Sequence, residues 1–275
     1  TAADTLNKLK DKHPIIELIL EYRMLTKLYS TYIDGLMNTI LPDGKIHTIF
    51  TQTLTRTGRL SSLEPNLQNI PVRYEYGRLI RKAFIPSEDS MMVSSDYSQI
   101  ELRIFAHMAN IETLVEAFKQ DMDIHSKTAM DIFHVTQDQV TKDMRRIAKA
   151  VNFGIVYGIS SFGLSENLGI SVGEAKQFMD HYFEAYPGIR TYMDQVKKDA
   201  YQKGYVETLL HRKRVIKELQ SDSVMVRKQG ERMALNTPIQ GTSADIIKKA
   251  MNEVHDAFIK EHLQSKMILQ VHDEL

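Results

Sequence analysis

Asp96 follows the run MMVSS, and Asp273 with Glu274 follows KMILQVH; both sites put acids at the end of a short apolar run with strand character. Strand ends present side chains to a cleft, and carboxylates brought together there repel unless a cation lies between them. Mg²⁺ suits such a pair, because it takes one or two carboxylates and fills its other positions with water or phosphate oxygens. Two ions about 3.5–4 Å apart stabilise both the attacking and the leaving oxygen of an in-line displacement. Acids at strand ends are also ordinary turn formers facing water. The sequence by itself does not bring the two sites together.

A second signal is helical. Arg145, Lys149, Phe153 and Tyr157 recur every fourth residue of RRIAKAVNFGIVYG (145–158). At roughly 100° per residue each step drifts about 40°, so all four share one stripe of an α-helix. Arg and Lys on that stripe take the charge of a polyphosphate, and Phe and Tyr offer flat faces to a base. The competing reading is an amphipathic helix that buries Phe153 and Tyr157 and leaves the cations at its solvated end.

The other clusters are weaker. TRTGRLSS and PNLQNIPVR combine Arg56, Arg59 and Arg73 with Asn66, Gln68 and Asn69, types suited to phosphate and base-edge contacts. The same amides also serve as caps of a structured loop. Asp121, Asp123 and His125 read as a loop-to-helix turn rather than a metal site. The basic turn His211-Arg212-Lys213-Arg214 reads as a solvated hairpin tip. A GxxxxGK[ST] loop, an HExxH pair and a GxSxG elbow are all absent, so phosphate handling falls to side chains and metal ions.

Several elements must position these residues. Ile15, Ile16, Leu18, Ile19, Tyr22, Leu25, Leu28, Tyr32 and Leu36 have helical spacing, which predicts a long amphipathic helix over 13–40, stopped by Leu41-Pro42-Asp43-Gly44. IHTIFTQTLT reads as strand, the polar stretch after it as loop, MMVSSDYS as a short strand and QIELRIFAHMA as helix. Several helices follow to about 204, punctuated by Gly169, Pro187 and Gly204, and then a hairpin over GYVETLLHRKRVI. Residues 222–263 read as helix broken near Pro238 and Gly241, and KMILQV as a closing strand. Strands at both ends with helices between them predict an α+β chain.

Composition narrows the class. With 43% hydrophobic and 25% charged residues, the 275-residue chain has an ordinary globular make-up. It lacks cysteine, which excludes disulfides and thiolate metal sites and suits a reducing compartment. Lys+Arg and Asp+Glu balance at 35 each, so nucleic-acid binding must rest on local clusters. No run is long enough for a membrane helix, and the polar start TAADTLNKLKDK is no signal peptide. The closing HDEL spells a retention address, but without a signal peptide the expectation is a cytoplasmic protein.

DYSQIELR (96–103), RRIAKAVNFGIVYG (145–158) and QVHDE (270–274) resemble, in order and spacing, the three signature motifs of family A DNA polymerases. TGRLSSLEPNLQNIP (57–71), DIHSKTAMDIF (123–133) and ERMALNTPIQGTSADIIKKAM (231–251) extend the resemblance over essentially the whole chain. It implies a right-hand α+β fold: an antiparallel palm sheet with a large helical fingers insertion. Residues 1–41 would be the base of the thumb, 42–110 and 231–275 palm, and 111–230 fingers. It implies template-directed DNA synthesis, with primer–template DNA and deoxynucleoside triphosphates as partners and no membrane, by a monomer. Asp96 and Asp273 would hold two Mg²⁺ ions with the Tyr97 carbonyl, and Glu274 would sit beside them. Arg145, Lys149, His125 and Gln99 would take the triphosphate, and Lys149 would also protonate pyrophosphate. Phe153 would pack on the incoming nucleotide, Tyr157 would stack near the templating base, and Glu101 would block the 2′-position. Arg23, Lys27, Arg59, Asn66, Gln68, Asn69, Arg232, Asn236, Gln240 and His272 would follow the primer–template.

Two features depart from the family pattern. VETLLHRKRVIKEL lacks the aromatic-and-proline ending common after the basic turn, which puts the hairpin in doubt. The chain also stops at the acidic turn, so the resemblance implies a C-terminally truncated core that is poorly active alone. Three other readings compete: a metal-dependent nuclease, a single-subunit RNA polymerase and a non-catalytic primer–template-binding fragment. A nuclease needs no helix like 145–157, Glu101 speaks against ribonucleotides, and Asp96, Lys149 and Asp273 speak against lost chemistry.

Overall fold

A computed structural model describes residues 2–72 and 75–275. Its contacts divide the chain into two compact units: 1–55 with 60–95 and 269–272, and 56–59 with 96–268 and 273–275.

The first unit contains α1 (Ala3–Asn7), α2 (Ile15–Leu28), a π-helical stretch Tyr29–Asp34 and α3 (Gly35–Met37), then β1 (Ile49–Thr51), β2 (Ser61–Leu63) and α4 (Glu75–Arg81). The helix expected over 13–40 therefore forms, ending in the Leu41 to Gly44 turn where Gly44 has φ +74°. Its apolar face is less covered than its spacing implies: Leu28 and Leu36 are buried, but Leu18 and Tyr22 are 63% and 71% exposed. β1 pairs antiparallel with β2, with Ile49 opposite Leu63 and Thr51 opposite Ser61. β2 lies inside the stretch read as loop. Hydroxyls fix it in place of apolar alternation: Thr48 Oγ1 bonds Ser62 Oγ at 2.6 Å and donates to the Pro65 carbonyl at 2.9 Å. Such a strand leaves no period-two signal to read.

The second unit is largely helical: α5 (Ile100–Met108), α6 (Glu112–Lys119), α7 (Ile124–Phe133), α8 (Lys142–Val156), α9 (Ser161–Leu168), α10 (Val172–Ala185), α11 (Pro187–Lys203), β3 (Tyr205–Glu207), β4 (Lys213–Val215) and α12 (Val224–Lys260). The punctuation falls as expected. Gly169 and Gly204 close α9 and α11 in left-handed conformations that a side chain would strain, and Pro187 opens α11. Phe105, Ile124, Ile132, Val151, Ile155, Leu164, Tyr182, Tyr186 and Ile189 form its main core. The hairpin in doubt does form, with Val206 opposite Arg214, and Ile216 and Leu219 bury beside Val206 and Ala234 in a smaller core.

Three expectations need correction. α12 runs unbroken through Pro238 and Gly241. Pro238 removes one backbone donor, but it is buried, and packing of Ala234, Leu235, Ile239, Ala244 and Ile247 holds the helix through the gap. The runs at 91–95 and 266–270 are not strands. They have no ladder among the described residues, and Met91, Val93 and Ile268 are exposed. Apolar runs with β-branched residues form strands only where a partner takes their backbone groups. Finally, the basic turn is not merely solvated, since Arg212 and Arg214 are bonded to α12. The α+β class holds, with antiparallel pairing in both small sheets among the described residues.

Candidate functional site

The two acidic sites do meet. Asp96 and Glu274 form an antiparallel bridge, and the Tyr97 N–H donates to the Asp273 carbonyl at 3.1 Å. Desolvation of the carboxyl, reinforced by the charges of Asp273 and Glu274, pushes the Asp96 pKa up. Loss of solvent and like charge nearby both disfavour the ionised carboxylate. The donor set fits Mg²⁺, which is content with one or two carboxylates and a carbonyl when phosphate and water complete its shell. Among the described residues, no group of three or more His, Asp or Glu side chains is arranged to hold a metal by itself.

Three residues after Asp96, Gln99 caps α5 with φ +54°, and its buried Oε1 has no partner among the described residues. In the first turn of α5, the Glu101 carboxylate is buried, at 6% exposure. Arg59 Nη2 donates to its Oε1 at 2.5 Å, and the Tyr157 hydroxyl donates to Oε2. Burial and the bond to Glu101 raise the Tyr157 pKa, so the phenol stays protonated and remains a donor. Tyr157 caps the end of α8, which ties that helix to the segment leaving Asp96.

α8 starts where Thr141 accepts the Met144 N–H at 3.2 Å. Its core face is Ile147, Ala148, Val151, Asn152, Ile155 and Val156. Arg145 and Lys149 are exposed and Tyr157 is 37% exposed, while Phe153 is half-buried and packs against the main core, so only part of the stripe is open. The Phe153 and Tyr157 rings stack, with centroids 6.4 Å apart and planes 23° apart. Arg145 is engaged by a carboxylate, with Nε 2.6 Å from Asp123 Oδ2 and Nη2 3.1 Å from Oδ1. That bond holds the Asp123 carboxyl down at about 2. Asp123 also caps α7 by accepting the His125 N–H, so the turn reading was correct. Its pairing with Arg145 was missed, because the two lie 22 residues apart.

His125 is buried, 5.7 Å from the Phe153 ring, and its Nδ1 bonds the Asn152 amide at 3.2 Å. Burial lowers its pKa to about 4, and the charges of Arg145 and Lys149 act in the same direction. Neutral at pH 7, it can serve an anion as a hydrogen-bond donor but not as a cation. Asn152 was also missed; an Asn inside an apolar helix face was the available signal that a buried partner awaited it.

On α12, Gln240 lies beside Tyr157, and Arg232 lies against Gly158. Asn236, between them on the same face, has a buried Oδ1 with no partner among the described residues. The remaining expected contacts belong to the other unit. Arg23 and Lys27 are exposed one turn apart on α2, Asn66 Oδ1 accepts the Gln68 N–H, Gln68 Nε2 donates to the Gln270 carbonyl, and the Asn69 carbonyl accepts from Tyr32. His272 is exposed with φ +56°. Arg56 faces Glu218 at 3.7 Å, and Arg73 lies outside the described residues.

The sequence profile described as DNA polymerase family A matches residues 1–275. The chain belongs to that family. It is 59% identical to DNA polymerase I of Bacillus caldotenax, 57% to that of Geobacillus stearothermophilus and 58% to that of Bacillus subtilis (strain 168). Each match takes in 100% of this chain but 32% of the relative, so the chain spans about a third of the length of the curated relatives it matches. Among solved structures it is similar to the POL domain of Pol1 from M. smegmatis, in complex with DNA primer-template and dNTP. The TM-score is 0.95 at 48% identity, covering 100% of this chain and 49% of that one. No helix of the described residues is long and apolar enough to cross a membrane.

The burial of His125 has a pH consequence. Between its ordinary value of 6.5 and about 4, the unfolded chain takes up a proton that the folded chain refuses. Folding stability therefore falls as pH drops through that window. Titration of the His125 ring by NMR should give a midpoint near pH 4, and His125→Gln should flatten the loss of melting temperature over the same range. A midpoint at the ordinary value would refute the buried, neutral ring.

Proposed function

We propose that this chain is the catalytic core of a template-directed DNA polymerase, which joins a deoxynucleoside monophosphate to a primer 3′-hydroxyl and releases pyrophosphate. One observation carries the reading: the acids Asp96, Asp273 and Glu274 and the cationic-aromatic stripe of α8 are joined through α5 by the Glu101–Tyr157 bond. A nuclease needs the acids but has no use for the stripe.

Asp96 and Asp273, with the Tyr97 carbonyl, would hold two Mg²⁺ ions, and Glu274 would add charge beside them. Bound there, the ions supply charge neutralisation at the reacting phosphate and acidify the primer hydroxyl. Arg145, Lys149, His125 and Gln99 take the triphosphate. Asp123 keeps the Arg145 fork oriented until phosphate oxygens compete for it, and Lys149 delivers a proton to the departing pyrophosphate. Phe153 packs on the nucleotide, and Tyr157 stacks near the templating base. The buried Glu101 carboxylate fills the space a ribose 2′-hydroxyl would need. Arg23, Lys27, Arg59, Asn66, Gln68, Asn69, Arg232, Asn236, Gln240 and His272 line the primer–template. The likeness to a POL domain held with primer-template and dNTP supports this assignment. It also supports reading 1–41 as base of thumb, 42–110 and 231–275 as palm, and 111–230 as fingers.

In the full-length protein, Asp96→Ala and Asp273→Ala should each lower single-turnover primer extension by at least on the order of a hundredfold while leaving DNA affinity near wild type. Normal extension by both variants would remove the acids from the chemistry. Glu101→Ala should raise ribonucleotide incorporation relative to deoxynucleotide by about tenfold or more, the scale set by losing one steric or polar discrimination. An unchanged ratio would take the sugar-excluding role away from Glu101.

A further inference from the structure

Arg212, at the tip of the β3–β4 hairpin, makes more bonds than a surface cation needs. Its Nε donates to Asp245 Oδ1 at 2.7 Å, and its Nη2 donates to the carbonyls of Thr57 at 2.7 Å and Gly241 at 2.9 Å. The hairpin is built to hold it there. The Arg212 N–H donates to Thr208 Oγ1 at 3.1 Å, the Thr208 N–H donates to the Arg212 carbonyl at 3.0 Å, and the Leu209 N–H donates to Thr242 Oγ1 on α12 at 3.0 Å.

The surrounding backbone is cut to fit the guanidinium. A Cβ at Gly58, where φ is +85°, would lie 2.6 Å from Arg212 Cζ and 2.7 Å from both Nη atoms. A Cβ at Gly241 would lie 2.6 Å from Thr208 Cγ2 and 3.0 Å from Arg212 Nη2. The planar group is thus bordered by two glycines, one on α12 and one in the 57–59 turn. The next residue of that turn is Arg59, whose side chain reaches the buried Glu101.

We infer that Arg212 is a positioning residue for the Arg59–Glu101–Tyr157 cluster. By fixing the Thr57 carbonyl and the Gly58 backbone to α12, it sets the point from which Arg59 reaches Glu101, and through Glu101 the placement of the sugar-excluding carboxylate. A planar fork with several fixed donors can bridge a carboxylate and two carbonyls; a Lys ammonium is a point charge and loses that geometry. This inference rests on the proposed function for its consequence in sugar choice, but not for the clamp itself.

Two variants test it in the full-length protein. Arg212→Lys keeps a cation beside Asp245, and the pair Arg212→Met with Asp245→Asn leaves no carboxylate unpaired. Hydrogen exchange at residues 56–60 reads the clamp without any activity, and the ratio of deoxynucleotide to ribonucleotide incorporation reads its effect. Both variants should lose protection at 56–60 and lower that ratio by about tenfold, as displacement of a positioned group from a distance does. Combining either with Arg59→Ala should add little to Arg59→Ala alone, because coupled residues are not additive. Unchanged protection at 56–60 would overturn the clamp. A lower melting temperature with an unchanged sugar ratio in an active enzyme would leave Arg212 as mere scaffolding and overturn the positioning role. If the wild type extends no primer, the proposed function fails instead, and exchange at 56–60 still decides the clamp.

Discussion

A buried carboxylate must be paired or it destabilises the fold, and the arrangement of this site follows from how Glu101 is paired. Arg59 offers charge on one oxygen, and Tyr157 offers a protonated hydroxyl on the other. Because Glu101 stands in the first turn of α5, the bond to Tyr157 sets the end of α8 against the start of the segment that leaves Asp96. Acids, cationic helix and aromatic pair then belong to one piece of structure. The bridge from Asp96 to Glu274 adds the last chain segment to it.

The electrostatics of that piece are divided by sign. At the acidic corner, desolvation and the charges of Asp273 and Glu274 push the Asp96 pKa up. The α8 face is cationic but partly self-compensated, since Asp123 takes the Arg145 fork, while His125 is kept neutral by burial. The acidic corner suits cations, and the α8 face suits anions. In the proposed reaction a polyphosphate accompanied by Mg²⁺ would match both, so a zero net charge is no argument against a nucleotide site.

Much of this was legible in the sequence. The i, i+4 stripe of α8, the glycine and proline punctuation of α9 to α11, and the hairpin at 205–215 all rest on local rules, and all form. Legibility failed where distant residues decide the outcome. β2 is fixed by hydroxyl bonds from Thr48, α12 passes Pro238 because its flanks are buried, and the runs before Asp96 and Asp273 have no strand partner among the described residues. The pairings Asp123–Arg145, Asn152–His125 and Arg212–Asp245 join residues 22 to 33 positions apart, which no periodicity reveals. The closing His-Asp-Glu-Leu spells an address, but its acids were legible as part of the acidic site, and Glu274 bridges Asp96.

The proposed reaction is the addition of nucleotides under instruction from a template. Single-nucleotide addition on four primer–templates that differ only in the first unpaired template base tests it most directly. Mg²⁺-dependent addition of the complementary deoxynucleotide is expected on each of the four. Addition of the same nucleotide regardless of template, or shortening of the primer without addition, would contradict it.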